Sequence, residues 1–379
     1  MQYRDFKNGE QTSLLGLGIM RVPMEDIPDG GKQPQQEATN ALVKAAVEGG
    51  ITYFDSAYVY CGGNADRAMG IALKPYREKV LIATKLPVNK VEKTEDFDRM
   101  LAEQLENLGV DKIDVYLMHN VQAKNLEKLM DLGMAQFLDR TLSSGKVGRV
   151  AFSNHDGFDG FKKVLDSYDS WGMAQVQYNI LDKYQQASAK GLDYAYDKGV
   201  PIVVMEGLRG GDLANAPDAV KARYEKEGKD WSPVEWAFRF VTDHPAVSCV
   251  LSGMNEQKQI AENLATFDRL PAAGTMTAAE EALFDDVRSI YEDLMAVPCT
   301  ACNYCQPCPQ GVGIPSVFSR MNRASMFNGK AEAQVAYQKM VDEGRGADKC
   351  IQCGWCETQC PQGVNIMADL EKTHAYFMG

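Results

Sequence analysis

Eight of the ten cysteines in this 379-residue chain fall between positions 299 and 360, and no other feature restricts the fold so sharply. They form two runs. Cys350, Cys353, Cys356 and Cys360 precede Pro361, giving C-x2-C-x2-C-x3-C-P. Cys299, Cys302, Cys305 and Cys308 precede Pro309, with two residues rather than three before the last cysteine. Thiolates two residues apart in a tight loop can converge on one cube of iron and sulfide. Zinc sites built from tandem C-x-x-C pairs, or disulfides, are the alternatives. The third evenly spaced cysteine and the terminal Cys-Pro of both runs favour iron. A chain with this segment is expected to handle electrons.

The length leaves room for one large domain and a small one. An apolar fraction of 45% with 24% charged residues is ordinary for a globular chain. A net charge of −12 argues against a nucleic-acid partner. No basic–apolar–small leader pattern opens the chain, and no apolar run reaches the roughly 18 residues of a membrane span. The expected setting is therefore the cytoplasm, without membrane attachment, where thiolates stay reduced. Cys249, inside the apolar run 247–251, reads as a small buried hydrophobe. Cys61, directly after Tyr60, reads as a loop cysteine, with a place near a functional site as the alternative.

Upstream of the cysteine runs, short apolar segments alternate with helical ones. Strands are expected at 13–19, 52–55, 80–84, 113–119, 147–153, 173–177, 202–205 and 248–252. In 96–107, Phe97, Leu101, Leu105 and Leu108 recur at helical steps, and Gly109 stands where a helix stops. Ser232-Pro233 reads as an N-cap followed by proline at the first helical position. Continuous apolar runs are typical of buried parallel strands. Eight βα units fit an α/β fold of the closed (β/α)8 barrel type. An open doubly wound sheet is the runner-up, but Gly16-Leu17-Gly18 lacks the third glycine of a dinucleotide fingerprint. In a barrel the chemistry lies at the C-terminal strand ends, where Asp55, Lys85, His119, Ser153, Asn154, Gln177 and Glu206 fall.

These residues carry a resemblance. FDSAYVYCGG at 54–63, IATKL at 82–86 and DVYLMHN at 114–120 resemble the segments of aldo-keto reductases that bear an Asp–Tyr–Lys–His tetrad. GKVGRVAFSNHD at 145–156 and QVQYN at 175–179 resemble two further segments of that family. The resemblance covers roughly residues 1–270. It implies a TIM barrel oxidoreductase that interconverts a carbonyl and an alcohol. Tyr60 would be the general acid, with Lys85 lowering its pKa, Asp55 holding the lysine and His119 orienting the substrate oxygen. It also implies that Ser153, Asn154 and Gln177 hold the carboxamide of NAD(H) or NADP(H), and that Glu262 and Asn263 meet the adenine. The cysteine runs resemble those of two-cluster bacterial ferredoxins, in which the fourth cysteine of each run crosses to the other cluster. Carried over, one 4Fe-4S cluster takes Cys299, Cys302, Cys305 and Cys360. The other takes Cys350, Cys353, Cys356 and Cys308. The whole chain resembles aldo-keto reductases with a C-terminal ferredoxin-like extension.

The cofactor pocket departs from the family pattern. Met205-Glu206-Gly207-Leu208 stands where relatives carry an aromatic ring to stack on nicotinamide. Gly253 and Gln259 occupy places where phosphate-dependent relatives carry lysine and arginine, although Lys258 could compensate. Iron–sulfur clusters pass single electrons and nicotinamide a pair; a flavin would bridge that mismatch, with Gly207, Gly210 and Gly211 admitting its phosphate. The same glycines are also ordinary loop residues. Glu206 hints at altered acid–base chemistry or at a salt bridge with Arg209. The expected organisation is a barrel over 1–275, a connecting helix over 276–297 and a mainly helical 4Fe-4S ferredoxin-type domain over 298–379. A small carbonyl or alcohol substrate and a ferredoxin or other electron carrier are the expected partners. Clusters that serve only as structural supports, and an electron carrier on a retained barrel, are the competing readings.

Overall fold

The structure is a computed structural model and describes residues 1–7, 9–28 and 30–379. Twelve strands are present among the described residues: β1 (Tyr3–Asp5), β2 (Gln11–Ser13), β3 (Leu15–Gly18), β4 (Met24–Asp26), β5 (Lys32–Pro34), β6 (Tyr53–Asp55), β7 (Leu81–Pro87), β8 (Ile113–His119), β9 (Val147–Asn154), β10 (Met173–Gln177), β11 (Ile202–Met205) and β12 (Val247–Ser252). Eight of them close a parallel barrel in the order β10-β11-β12-β3-β6-β7-β8-β9. This is the expected (β/α)8 architecture. The apolar run at 13–19 splits, because Ser13 pairs with Tyr3 in the β1–β2 hairpin while Leu15 begins the barrel strand. Lys85 lies within β7, which continues through Pro87.

Strand alternation explains why the mouth is polar. Side chains two residues apart face the same way. Tyr53, Ala83, Val115, Leu117, Ala151, Met173, Val203 and Cys249 form one buried interior cluster with Phe6 from the N-terminal hairpin. Two residues further along the same faces come Asp55, Lys85, His119, Ser153, Gln175 and Met205. Phe6 closes the N-terminal end, with the Arg149 guanidinium 4.3 Å from its ring centroid. The packed interior thus pushes chemistry to one end.

The flanking helices follow their apolar periodicity. Glu95–Leu108 buries Phe97, Met100, Leu101, Gln104 and Leu108 and ends on Gly109, whose φ of 65° is the left-handed cap glycine tolerates. Pro233–Asp243 begins at the proline after Ser232. Among the described residues no helix is long and apolar enough to cross a membrane.

The chain divides into two compact units, 1–208 with 235–276, and 209–234 with 277–379. The second unit is helical: Asp218–Glu225, Ala278–Asp293, Ile314–Met326, Lys330–Asp342, Trp355–Thr358 and Ile366–Met378. A Thr277–Glu280 capping box starts the second of these helices. Ion pairs bind the 209–234 segment to that helix and the next: Arg223–Asp286 at 2.8 Å, Lys229–Glu280 at 2.9 Å and Arg323–Asp212 at 2.8 Å. Val312, Val317, Phe318, Tyr337, Met340, Leu370 and Phe377 form the core of this unit together with Cys305 and Cys356.

Candidate active site and cysteine cavities

The four tetrad residues meet at the C-terminal mouth of the barrel. Lys85 and Asp55 are buried on adjacent strands, and the lysine ammonium forms a short ion pair with the carboxylate. The ammonium also donates to the Ser56 carbonyl at 2.7 Å and lies 4.9 Å from the centre of the Tyr60 ring. Tyr60 meets His119 edge-on, with ring centroids 5.8 Å apart. Burial pulls the Lys85 pKa down, but the Asp55 carboxylate and the Tyr60 hydroxyl outweigh it and hold the group above its ordinary value. Burial raises Asp55, and the Lys85 charge offsets part of that rise. His119 is pushed down to about 3 by burial and then by the Lys85 charge, so its imidazole is neutral at ordinary pH. The site therefore holds one buried cation beside a phenol and a neutral imidazole.

A buried network behind Lys85 fixes its strand. Thr84 donates to Asp66 at 2.8 Å, Gln104 donates to Asp66 at 3.0 Å and to Thr84 at 2.7 Å, and Tyr116 donates to Gln104 at 2.9 Å. Nothing in the sequence pattern marks Asp66 or Gln104, which sit on helices that read as amphipathic.

Ser153 and Asn154 pin the loop that follows His119. Ser153 Oγ accepts from the Asn120 amide at 2.8 Å, and Asn154 Nδ2 donates to the Val121 carbonyl at 2.7 Å. Asn154 falls one residue beyond the inward set, so strand alternation turns it away from the barrel axis. Gln177 donates to Asp182 at 2.6 Å and accepts from Gln186 at 3.1 Å. Its amide is held by the following loop. Met205 and Leu208 are half-buried near the end of β11, and Gly207 packs so tightly that an added Cβ would lie 3.1 Å from Val250. Gly210 and Gly211 have φ of 68° and 97°, a backbone that asks for glycine whether or not a ligand is near.

Glu206 pairs with Arg21 at 3.9 Å. The Arg209 guanidinium lies 5.6 Å from the Phe327 ring in the second unit. Gln259 accepts from the Asn255 amide at 2.9 Å, Asn263 donates to Ser252 at 3.3 Å, and exposed Lys258 lies 3.7 Å from Glu262. Cys249 is fully buried in the barrel interior. Cys61 is half-buried, and its thiol is raised by burial, which keeps it protonated.

The eight remaining cysteines line two separate cavities. One is lined by Cys299, Cys302, Cys305 and Cys360 with Ile314, Phe318, Val364 and Ile366. The other is lined by Cys308, Cys350, Cys353 and Cys356 with Val312, Ile314, Met367 and Leu370. Each takes three cysteines from one run and the fourth from the other. Among the described residues, no three His, Cys, Asp or Glu side chains gather closely enough to hold a single metal ion. A lone zinc would draw its sulfurs to about 2.3 Å from one point, whereas a cluster needs sulfurs spread around a space. The donor set and its apolar walls fit a group of iron and sulfide.

A closed parallel barrel with a charged lysine and a phenol at its mouth, in a chain that also carries a cysteine-rich helical unit, defines a barrel oxidoreductase. Residues 14–278 match the aldo/keto reductase family and residues 298–366 a 4Fe-4S dicluster domain. The chain belongs to the aldo/keto reductase family and carries a C-terminal 4Fe-4S domain. It is 32% identical over 166 residues to a probable aldo-keto reductase of Glycine max, covering 39% of this chain and 46% of that protein. Its fold resembles an aldo-keto reductase from Bacillus halodurans in its holo form, with a TM-score of 0.63 and 20% identity over 76% of this chain and 96% of that one. It also resembles an aldo/keto reductase from Klebsiella pneumoniae in complex with NADP and acetate, with a TM-score of 0.59 and 19% identity over 73% and 92%.

Proposed function

We propose that the protein interconverts a small carbonyl compound and its alcohol at the barrel mouth, with Tyr60 as the proton donor and acceptor. We further propose that its C-terminal unit holds two 4Fe-4S clusters that exchange electrons with a ferredoxin or similar carrier. The observation that carries the first part is the buried Lys85 ammonium between Asp55 and Tyr60. When a carbonyl carbon takes up hydride, negative charge grows on oxygen and a proton must follow. A bound nicotinamide dinucleotide would supply the hydride, against a wall that includes Gln177, Met205 and Leu208 and with its adenine towards Glu262 and Asn263. The Lys85 ammonium, 4.9 Å from the centre of the Tyr60 ring, sets a positive charge beside the group that gives up this proton. Neutral His119 donates one N–H to the substrate oxygen and orients it. Ser153 and Asn154 act through the loop after β8, keeping His119 in place.

The partition of the cysteines supports the second part, since crossed sets of three plus one are what a two-cluster module uses. The test is Tyr60→Phe, purified anaerobically with its iron. Reduction of an α-dicarbonyl or quinone should fall roughly 10²- to 10⁴-fold, with iron content and nucleotide binding retained. An unchanged rate would mean that Tyr60 is not the acid. A yellow protein that binds neither nucleotide and releases a flavin on denaturation would replace nicotinamide in this reading.

A further inference from the structure

Three short strands bring an unassigned pair of charges to the mouth. Arg21 ends the single turn Ile19–Arg21 that follows β3, Glu206 follows β11 and Gly253 follows β12. β11, β12 and β3 are consecutive in the barrel. The Arg21 stem lies against Gly253: a Cβ built there would be 3.4 Å from Arg21 Cδ and 3.7 Å from Cβ and Cγ. The guanidinium is 3.9 Å from the Glu206 carboxylate, and both side chains are partly open to solvent, at 46% and 38%. Glu206 has a φ of 60°, a conformation that side-chain-bearing residues seldom adopt. Its carbonyl accepts from Asn179 Nδ2 at 3.0 Å, so the local backbone is held while the carboxylate stays partly exposed.

Barrels commonly take up ligand phosphates with the loops after the seventh and eighth strands. Those strands are β11 and β12 here. The loop after β12 offers no cation at Gly253 or Gln259, and the Gln259 side-chain oxygen caps Asn255. Lys258 points to solvent at 79% exposure. Arg21 brings a guanidinium to the same place from the first barrel strand, and Gly253 leaves the room its stem occupies.

We propose that Arg21 is the phosphate-binding cation of the dinucleotide site, and that Glu206 sets its preference for a dinucleotide without a 2′-phosphate. The inference rests on the nicotinamide reading above. An exposed ion pair is weak, so giving up the contact with Glu206 costs an incoming phosphate little. A guanidinium binds phosphate oxygens through a planar fork of donors. The carboxylate left beside it repels a phosphomonoester, with its charge of about −1.5 to −2, more than it repels a singly charged diphosphate oxygen.

The test is anaerobic titration of the iron-loaded full chain with NADH and with NADPH, for wild type, Arg21→Ala, Arg21→Lys and Glu206→Gln. Iron content and circular dichroism identify any variant that fails to fold. Arg21→Ala should weaken NADH binding roughly 10- to 100-fold, the span that losing a charge-assisted hydrogen bond converts to. Arg21→Lys should recover part of that loss. Glu206→Gln should tighten NADPH more than NADH. NADH affinity within about twofold of wild type in folded Arg21→Ala would overturn the assignment of Arg21. Equal tightening of both nucleotides in Glu206→Gln would overturn the role given to Glu206. A wild-type chain that binds neither nucleotide would instead bring down the nicotinamide reading itself.

Discussion

The barrel and the C-terminal unit solve the problem of a buried polar site in opposite ways. In the barrel, the charge on Lys85 is met by the carboxylate of Asp55, and the ground beneath is filled by Phe6, Tyr53 and the inward residues of six strands. The site is complete in side chains alone. In the C-terminal unit, Cys305 and Cys356 belong to the hydrophobic core and Cys299, Cys308, Cys350 and Cys360 pack against it. There the centre is finished only when something bridges the sulfurs. A metal group bound in this way is folding free energy as well as chemistry. The comparison teaches that the C-terminal unit should be fragile to iron loss and the barrel indifferent to it.

The largest expected effect is therefore metal removal. Anaerobic protein should carry about eight irons and eight sulfides, the complement of two 4Fe-4S clusters on eight cysteines. Chelation should expose residues 298–379 to protease and hydrogen exchange, while the barrel retains its circular dichroism and nucleotide binding. Cooperative loss of both units would break the contrast, and so would full protection of the C-terminal unit without iron. About four irons would leave one cavity unused and would implicate the first run, with its short Cys305–Cys308 spacing.

Next in size is the chemistry of the barrel. Lys85→Met removes the positive charge beside Tyr60 and leaves Asp55 buried without its counter-ion. Carbonyl reduction should fall in the same roughly 10²–10⁴-fold range as for Tyr60→Phe. The double variant should be little worse than either single one, because both disable one proton donor. Losses that multiply would show that the two residues act separately. Cluster content should be unchanged throughout, measured as iron per chain.

Most of the barrel was legible because its strands are short apolar runs ending in a polar residue, and strand alternation carries those polar residues to one end. Asp55, Lys85 and His119 could be placed for that reason. The split at Leu14 between hairpin and barrel strand was not legible, since no turn residue separates Ser13 from Leu15. Asp66 and Gln104 escaped notice because a buried polar residue on an amphipathic helix looks like an exposed one until its partners are known. The packing of 209–234 with the C-terminal helices depends on long-range pairs such as Arg223–Asp286, which leave no local pattern. The Arg21–Glu206 pair was not legible because its members lie far apart in the chain and come together only once β3 and β11 flank β12.

A smaller effect separates the units by pH. His119 has a folded pKa of about 3 against an ordinary 6.5, because burial and Lys85 oppose its protonation. Between those values the unfolded chain binds a proton that the folded barrel does not. Barrel stability should therefore fall as pH drops from 6.5 towards 3. His119→Asn should flatten that part of the curve, read as thermal midpoint against pH. Since His119 is already neutral, kcat/KM should show no acid limb near pH 6.5. A limb there would mean that the imidazole titrates normally.

The smallest effect tests whether the barrel interior can be perturbed without touching either site. Gly16 faces Tyr53 across the β3–β6 pairing, one inward layer below Asp55. A Cβ at position 16 would lie 2.8 Å from Cys249 Sγ, 3.0 Å from Leu251 Cδ2 and 3.3 Å from Tyr53 Cδ1. Interiors this close-packed yield by forcing side chains off their rotamers, which costs about 1–3 kcal/mol. Gly16→Ala should lower barrel stability by that amount in urea titration. In a Cys249→Ala background the added methyl has the vacated sulfur position to occupy, so the same substitution should cost less. Because neither residue lines the cysteine cavities, iron content should not change in any of the three variants. An undiminished cost in the Cys249→Ala background would place the tight contact with Tyr53 and Leu251 instead, on the side of the barrel that supports Asp55.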